Sequence, residues 1–153
     1  MSRHEFIARM DNLDAAIALV QAFCAEHSVA SDDGLRLQLL VEELFTNTVA
    51  HGHGGDCDSP VTIELAVEAD SLRLCFTDWA PPFDPTLVVA NESVTPHQVG
   101  GAGLQLLATL AREMAYARSD GANCVTLTMA RSGSAMAWEN SRENAAPPPR
   151  AAQ

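Results

Sequence analysis

At 153 residues, with 47% hydrophobic and 19% charged side chains, the chain suits one domain with a sizeable core and is too apolar for a disordered protein. A formal net charge of −11 argues against nucleic acid as a partner, because a phosphate backbone demands a basic surface; it suits a basic protein partner or simple solubility. No apolar run approaches the length of a membrane span and no basic-then-apolar signal opens the chain, so the expected location is cytoplasmic, with no membrane partner.

His4 to Met10 reads as an edge strand. Asp11 or Asn12 can then cap a helix whose buried face is Leu13, Ile17, Val20 and Cys24, running as far as His27. Ser31, Asp32 and Asp33 give a second helix start, with acidic side chains at the positive end of the dipole. Leu37, Leu40, Val41, Leu44 and Phe45 recur at three- and four-residue spacing, predicting an amphipathic helix that stops at Gly52. Val61, Ile63, Leu65 and Val67 alternate with polar or small residues, and Leu72, Leu74 and Phe76 do so again after Asp70-Ser71. The two runs predict an antiparallel hairpin that delivers Asp78 at its end. Residues 79 to 100 carry prolines at 81, 82, 85 and 96 and show no helical period, so they are expected to form a functional or disordered loop. Gly100-Gly101-Ala102-Gly103 leads into a short helix through Leu104, Leu106, Leu107 and Leu110. Met114 to Arg118 and Cys124 to Met129 read as two more strands around Asp120-Gly121. A domain over 1–138 and a disordered proline- and alanine-rich tail over 139–153 are expected.

Cys24, Cys57, Cys75 and Cys124 include no CxxC pair and read as reduced thiols. His51, His53, Cys57 and Asp58 lie close in sequence, but their spacing matches no zinc pattern. Three other stretches carry more chemistry. On the long helix Glu43, Asn47 and His51 stand at i, i+4 and i+8, one row separated by roughly 6 Å of rise. Asn47 offers a hard oxygen that suits Mg²⁺ beside phosphate, and Glu43, one turn away, could take a proton from an attacking hydroxyl. Asp78 is an acceptor suited to an exocyclic amine. The glycines before the short helix leave backbone N–H groups open as an anion cradle. In that order the three stretches suggest a nucleotide.

The same stretches resemble the boxes of the GHKL, or Bergerat-fold, ATPases: EELFTNTVAHG the N-box, DWAPPFDP the G1 box and GGAGLQLL the G2 box. The chain looks most like the small anti-sigma-factor serine/threonine kinases of that superfamily, and GANCVTLTM resembles their final strand. The resemblance covers roughly residues 5 to 130. It implies an α/β two-layer sandwich (in the α+β sense), the histidine-kinase-like ATPase fold, with a mixed, mostly antiparallel sheet and helices on one face. It implies ATP with Mg²⁺ as cofactors, Asn47 as metal ligand, Glu43 as general base and Asp78 as the adenine contact. Ala80 and Phe83 in the G1 box, and Gly100, Gly101, Ala102, Gly103 and Leu104 in the G2 box, are implied to meet the nucleotide beneath a lid at about 86 to 99. His51 matches the histidine that closes the N-box, and either ligand contact or bonding to the last helical carbonyls accounts for it. The family usually has glycine where this chain has Ala80, and often a larger or basic residue where it has Ala102. The implied partners are a STAS-type anti-sigma antagonist and a sigma factor, and the implied assembly is a homodimer. A nucleotide-gated binding module without catalysis is the alternative that the same residues allow.

Overall fold

The computed structural model describes residues 1–90 and 102–133. The glycines at 100 and 101, most of the expected lid and the expected tail lie outside the described residues.

The described strands are β1 (Ser2–Ile7), β2 (Pro60–Val67), β3 (Ser71–Asp78), β4 (Glu113–Ser119) and β5 (Ala122–Ala130), forming one sheet in the order β1-β2-β3-β5-β4. Every described pairing is antiparallel. The helices are α1 (Leu13–Glu26), α2 (Ser31–Thr46), α3 (Pro85–Ala90) and α4 (Ala102–Leu110). Strand periodicity sorts the sheet into two faces. Val61, Ile63 and Leu65 of β2, Leu72, Leu74 and Phe76 of β3, and Val125, Leu127 and Met129 of β5 are all buried on one face. They meet the predicted stripe of α2, which is buried from Leu37 to Phe45, together with Val20 and Phe23 of α1 and Leu104 and Leu107 of α4. The layered sandwich follows from that match between a helical stripe and a strand face. No helix among the described residues is long and apolar enough to cross a membrane.

Local chemistry moved some boundaries. β1 begins and ends earlier than expected, because after Ile7 the chain turns inward: buried Ala8 donates to Ser59 O and accepts from Cys57 N. Asn12 does sit at the start of α1, but its amide donates to Ile7 O at 2.9 Å and makes no cap. Within the expected loop, α3 forms because Asp84 Oδ1 accepts from Thr86 N at 2.9 Å and Pro85 presets the first helical turn. The β4–β5 turn holds Asp120 at φ 53° and Gly121 at φ 79°, the left-handed pair that a two-residue hairpin requires. Buried Asp33 ties the other end of β5 to α2, accepting from Ser132 N at 2.7 Å and from Ser132 Oγ at 2.9 Å.

The long helix changes its winding where the functional residues begin. It bonds i to i−4 as far as Asn47, then runs as a π-helix from Asn47 to Gly52. Periodicity gave no warning of this. The wider turn takes His51 out of the straight row with Glu43 and Asn47, and π segments are frequent at functional sites.

Candidate functional site

The end of β3 lies beside the start of β5, with Asp78 directly opposite Asn123. Above them the π turn, the chain from Ala80 to Pro85 and α4 enclose a cavity of about 240 Å³. Its floor and walls are mostly apolar, and Leu44, Phe76, Phe83, Leu104 and Val125 line it. Asn47, Thr48, His51, Asp78 and Asn123 supply the polar groups. An apolar cleft with few convergent polar groups is the usual form of a small-molecule site.

Asp78 is buried and held by three donors. Its Oδ1 accepts from Ala80 N and from Asn123 Nδ2, each at 2.9 Å, and its Oδ2 accepts from Thr48 Oγ1 at 3.1 Å. A carboxylate has about four acceptor positions, so one on Oδ2 stays open to a donor entering the cavity. Asn123 also donates to Ala80 O at 3.1 Å and to Pro81 O at 3.2 Å. Its own Oδ1 accepts from Tyr116 Oη and from an Arg118 guanidinium nitrogen, each at 2.7 Å. Asn123 therefore positions both Asp78 and the backbone that follows it. Sequence reading missed Asn123 and Thr48. The available signal for Asn123 was an amide standing in phase with Val125, Leu127 and Met129, on the apolar face of its strand.

Asn47 is half-buried, and its Nδ2 is a buried donor without a partner among the described residues. Leaving such a group unsatisfied costs about 1–3 kcal/mol, and a polar ligand would offset that. Turned end for end, the amide presents its oxygen at the same point, a hard ligand of the kind Mg²⁺ takes alongside phosphate oxygens. Among the described residues no three His, Cys, Asp or Glu side chains gather as a metal cluster. A cation here would depend on Asn47 and on the oxygens of its ligand, which is the usual arrangement for Mg²⁺. The donor set fits such a complex.

The remaining expected residues fall at different places. His51, Ala80, Phe83 and Leu104 line the cavity. Trp79 is 40% exposed and is not part of the lining. Ala80, in place of the glycine expected there, is buried, and its methyl faces Gly52: a β-carbon on Gly52 would come within 2.8 Å of it. The missing side chain of Gly52 makes room for the extra methyl of Ala80. Glu43 and Gly103 touch each other and do not line the cavity; a β-carbon on Gly103 would overlap the Glu43 carboxylate. Ala102 opens α4, so Glu43, which lies against Gly103, sits at the start of that helix. Burial raises the pKa of Glu43, the neighbouring Glu42 raises it further, and His51 pulls it back. A carboxyl shifted upward is better matched to proton transfer near neutral pH.

Comparison with known proteins adds the following. The family model for the histidine kinase-like ATPase domain matches residues 6–129. The serine-protein kinase RsbW of Listeria monocytogenes serotype 4a is 29% identical over 98 residues, which is 58% of this chain and 61% of that protein. RsbW of Listeria innocua serovar 6a gives the same figures. The matched segment thus spans less than two thirds of these relatives. Among solved structures, the RsbU and RsbW domains of Rv1364c from Mycobacterium tuberculosis align with a TM-score of 0.58 at 17% identity, over 88% of this chain and 34% of that one. The catalytic domain of histidine kinase ThkA aligns with a TM-score of 0.53 at 14% identity, over 86% of this chain and 97% of that one. Both structural matches carry the same fold.

Proposed function

The chain belongs to the histidine kinase-like ATPase domain family, and on that premise we propose that it binds ATP with Mg²⁺ and acts as a serine/threonine protein kinase on a STAS-type anti-sigma antagonist. In this reading it also binds a sigma factor and so regulates sigma-dependent transcription in the cytoplasm, working as a homodimer whose nucleotide domain spans residues 1–138. The observation that carries the proposal is the open acceptor position on buried Asp78, facing the same cavity as the unpartnered amide of Asn47.

Asp78 accepts the exocyclic amine of adenine while Thr48, Ala80 N and Asn123 fix its carboxylate. The apolar walls take the base, and Ala80 and Phe83 close on it. Asn47 would hold the metal, and Mg²⁺ would neutralise charge on the phosphate oxygens. Ala102 and Gly103 at the start of α4, with Gly100 and Gly101 just before it in sequence, would offer backbone N–H groups to the phosphates. Glu43, at that same helix start, takes the proton from the substrate serine. The serine oxygen bonds to the γ-phosphorus as the bond to the β-phosphate oxygen breaks, and ADP leaves. Such chemistry needs mainly positioning and charge neutralisation.

The contact of Glu43 with Gly103, outside the cavity lining, favours a second reading in which nucleotide only gates partner binding. Transfer of labelled phosphate from ATP to a STAS antagonist separates the two. For a kinase, Glu43→Gln lowers transfer by about 10²-fold or more while Glu42→Gln leaves it intact. Equal activity of the two variants would remove Glu43 as base, and no transfer by the native chain would favour the switch.

A further inference from the structure

The face of the sheet turned away from the helices carries a thiol pair that plays no part in the nucleotide reading. Cys75 of β3 stands opposite Thr126 of β5, and Cys124 stands opposite Thr77, so the cysteines are diagonal neighbours on adjacent antiparallel strands. Their Sγ atoms lie 2.8 Å apart, and both residues are half-buried, within reach of small solutes. A disulfide requires roughly 2.05 Å between sulfurs, so the two sulfurs are within about 1 Å of bonding distance, and the diagonal placement leaves the remaining adjustment to the backbone of the two strands. Cys24 lies on α1 and Cys57 in the segment before β2, and neither has a thiol partner in the structure.

We propose that Cys75 and Cys124 form an oxidisable dithiol, a site at which hydrogen peroxide introduces an intramolecular disulfide that clamps β3 to β5. Burial pushes the Cys75 thiol up to about 11, so at neutral pH Cys75 keeps its proton and takes the resolving role. Cys124 sulfur attacks one peroxide oxygen: an S–O bond forms, the O–O bond breaks, and hydroxide leaves as water with the Cys124 proton. Cys75 sulfur then attacks the sulfenic sulfur. The S–S bond forms, the S–O bond breaks, and the departing hydroxyl takes the Cys75 proton as a second water. Two thiols are oxidised and one peroxide is reduced. The bond links positions 49 residues apart, a long loop to constrain in the unfolded chain. It also lies beneath the opposed pair Phe76 and Val125, which form part of the cavity floor, and beside the pair Asp78 and Asn123. The clamp thus fixes the strand ends that present Asp78.

The reduced chain is treated with hydrogen peroxide, blocked with N-ethylmaleimide and mapped by peptide mass. Expected is a linked peptide pair containing Cys75 and Cys124, two hydrogens lighter than its reduced parts, with Cys24 and Cys57 alkylated. The thermal midpoint should rise by about 5 °C or more on oxidation and return with dithiothreitol. Cys124→Ser should abolish both the link and the rise. Cys75→Ser should abolish them too and leave a sulfenic acid at Cys124 that dimedone traps. Free, alkylated Cys75 and Cys124 after peroxide, or linkage of either to Cys24, Cys57 or a second chain, would overturn the proposal. So would a linked wild type whose midpoint does not move.

Discussion

Replacing Asn123 tests whether one amide organises the site. Asn123→Ala removes the donor to Asp78 Oδ1, Ala80 O and Pro81 O and strips Tyr116 and Arg118 of a shared acceptor. Pro81 is exposed and can be rehydrated, and Asp78 Oδ1 keeps the bond from Ala80 N. The main loss is then one hydrogen bond to a buried carboxylate plus one under-satisfied carbonyl. At about 1.5–3 kcal/mol for the first and about 1 for the second, the expected destabilisation is roughly 2–4 kcal/mol. Asn123→Asp is the sharper probe. It keeps an acceptor for Tyr116 and Arg118 but turns an oxygen toward Asp78 where a donor stood. Arg118 favours the ionised form of the introduced carboxyl, but the two facing carboxyls cannot both ionise freely, so the pair holds one proton above the usual Asp value of about 3.9 in the folded state. Between that value and the raised folded one, the folded chain binds more protons than the unfolded chain, so stability falls as pH rises through the window. The deficit of Asn123→Asp relative to wild type should therefore be largest near neutral pH and shrink as pH is lowered. Urea denaturation followed by far-ultraviolet circular dichroism, repeated across pH, measures it. A deficit that does not change with pH, or a variant as stable as wild type, would refute the described role of Asn123.

Gly52→Ala should destabilise the chain by about 1–3 kcal/mol, because its β-carbon would meet Ala80 at 2.8 Å. Adding Ala80→Gly should recover most of that loss in a denaturation double-mutant cycle, and additive effects would show that the two do not share the space. Gly103→Ala should be destabilising in the native chain despite the better helix propensity of alanine, and neutral or stabilising in a Glu43→Ala background. A uniform effect in both backgrounds would mean that the carboxylate is not the obstacle. Burial raises the pKa of Glu43, so between the ordinary Glu value of about 4.3 and the raised one the folded state holds the extra proton and stability falls with rising pH. Glu43→Gln should remove that slope and be the more stable protein at neutral pH. If the positive end of α4 outweighs burial, Glu43→Gln will instead be the less stable one.

The elements with a clear period were legible in the sequence. The stripe Leu37, Leu40, Val41, Leu44 and Phe45 is buried as its spacing required. Both hairpins turned near their signals, at Asp70-Ser71 and Asp120-Gly121. The joining of those hairpins by β3 against β5 is a non-local choice that local patterns do not encode, yet it puts Asp78 opposite Asn123. The π turn was hidden because it preserves composition and changes only winding. Ala80 could be seen as a departure from the expected glycine. That its methyl would find Gly52 depends on bringing the end of the π turn against a loop far away in the chain. Of the expected site, His51, Asn47, Asp78, Ala80, Phe83 and Leu104 gather around one cavity, while Glu43 and Gly103 meet each other outside its lining. The glycines at 100 and 101 fall outside the described residues, so their expected part in the cradle rests on sequence alone.

Equilibrium titration of the chain with Mg·ATP and, separately, Mg·GTP tests the nucleotide reading most directly. Adenine offers Asp78 an amine where guanine offers a carbonyl oxygen, which would leave a buried carboxylate facing another acceptor. ATP should bind about 10²-fold or more tightly than GTP, and Asp78→Asn should erase most of that preference. Equal affinity for the two nucleotides, or no binding of either at millimolar concentration, would contradict the proposed site.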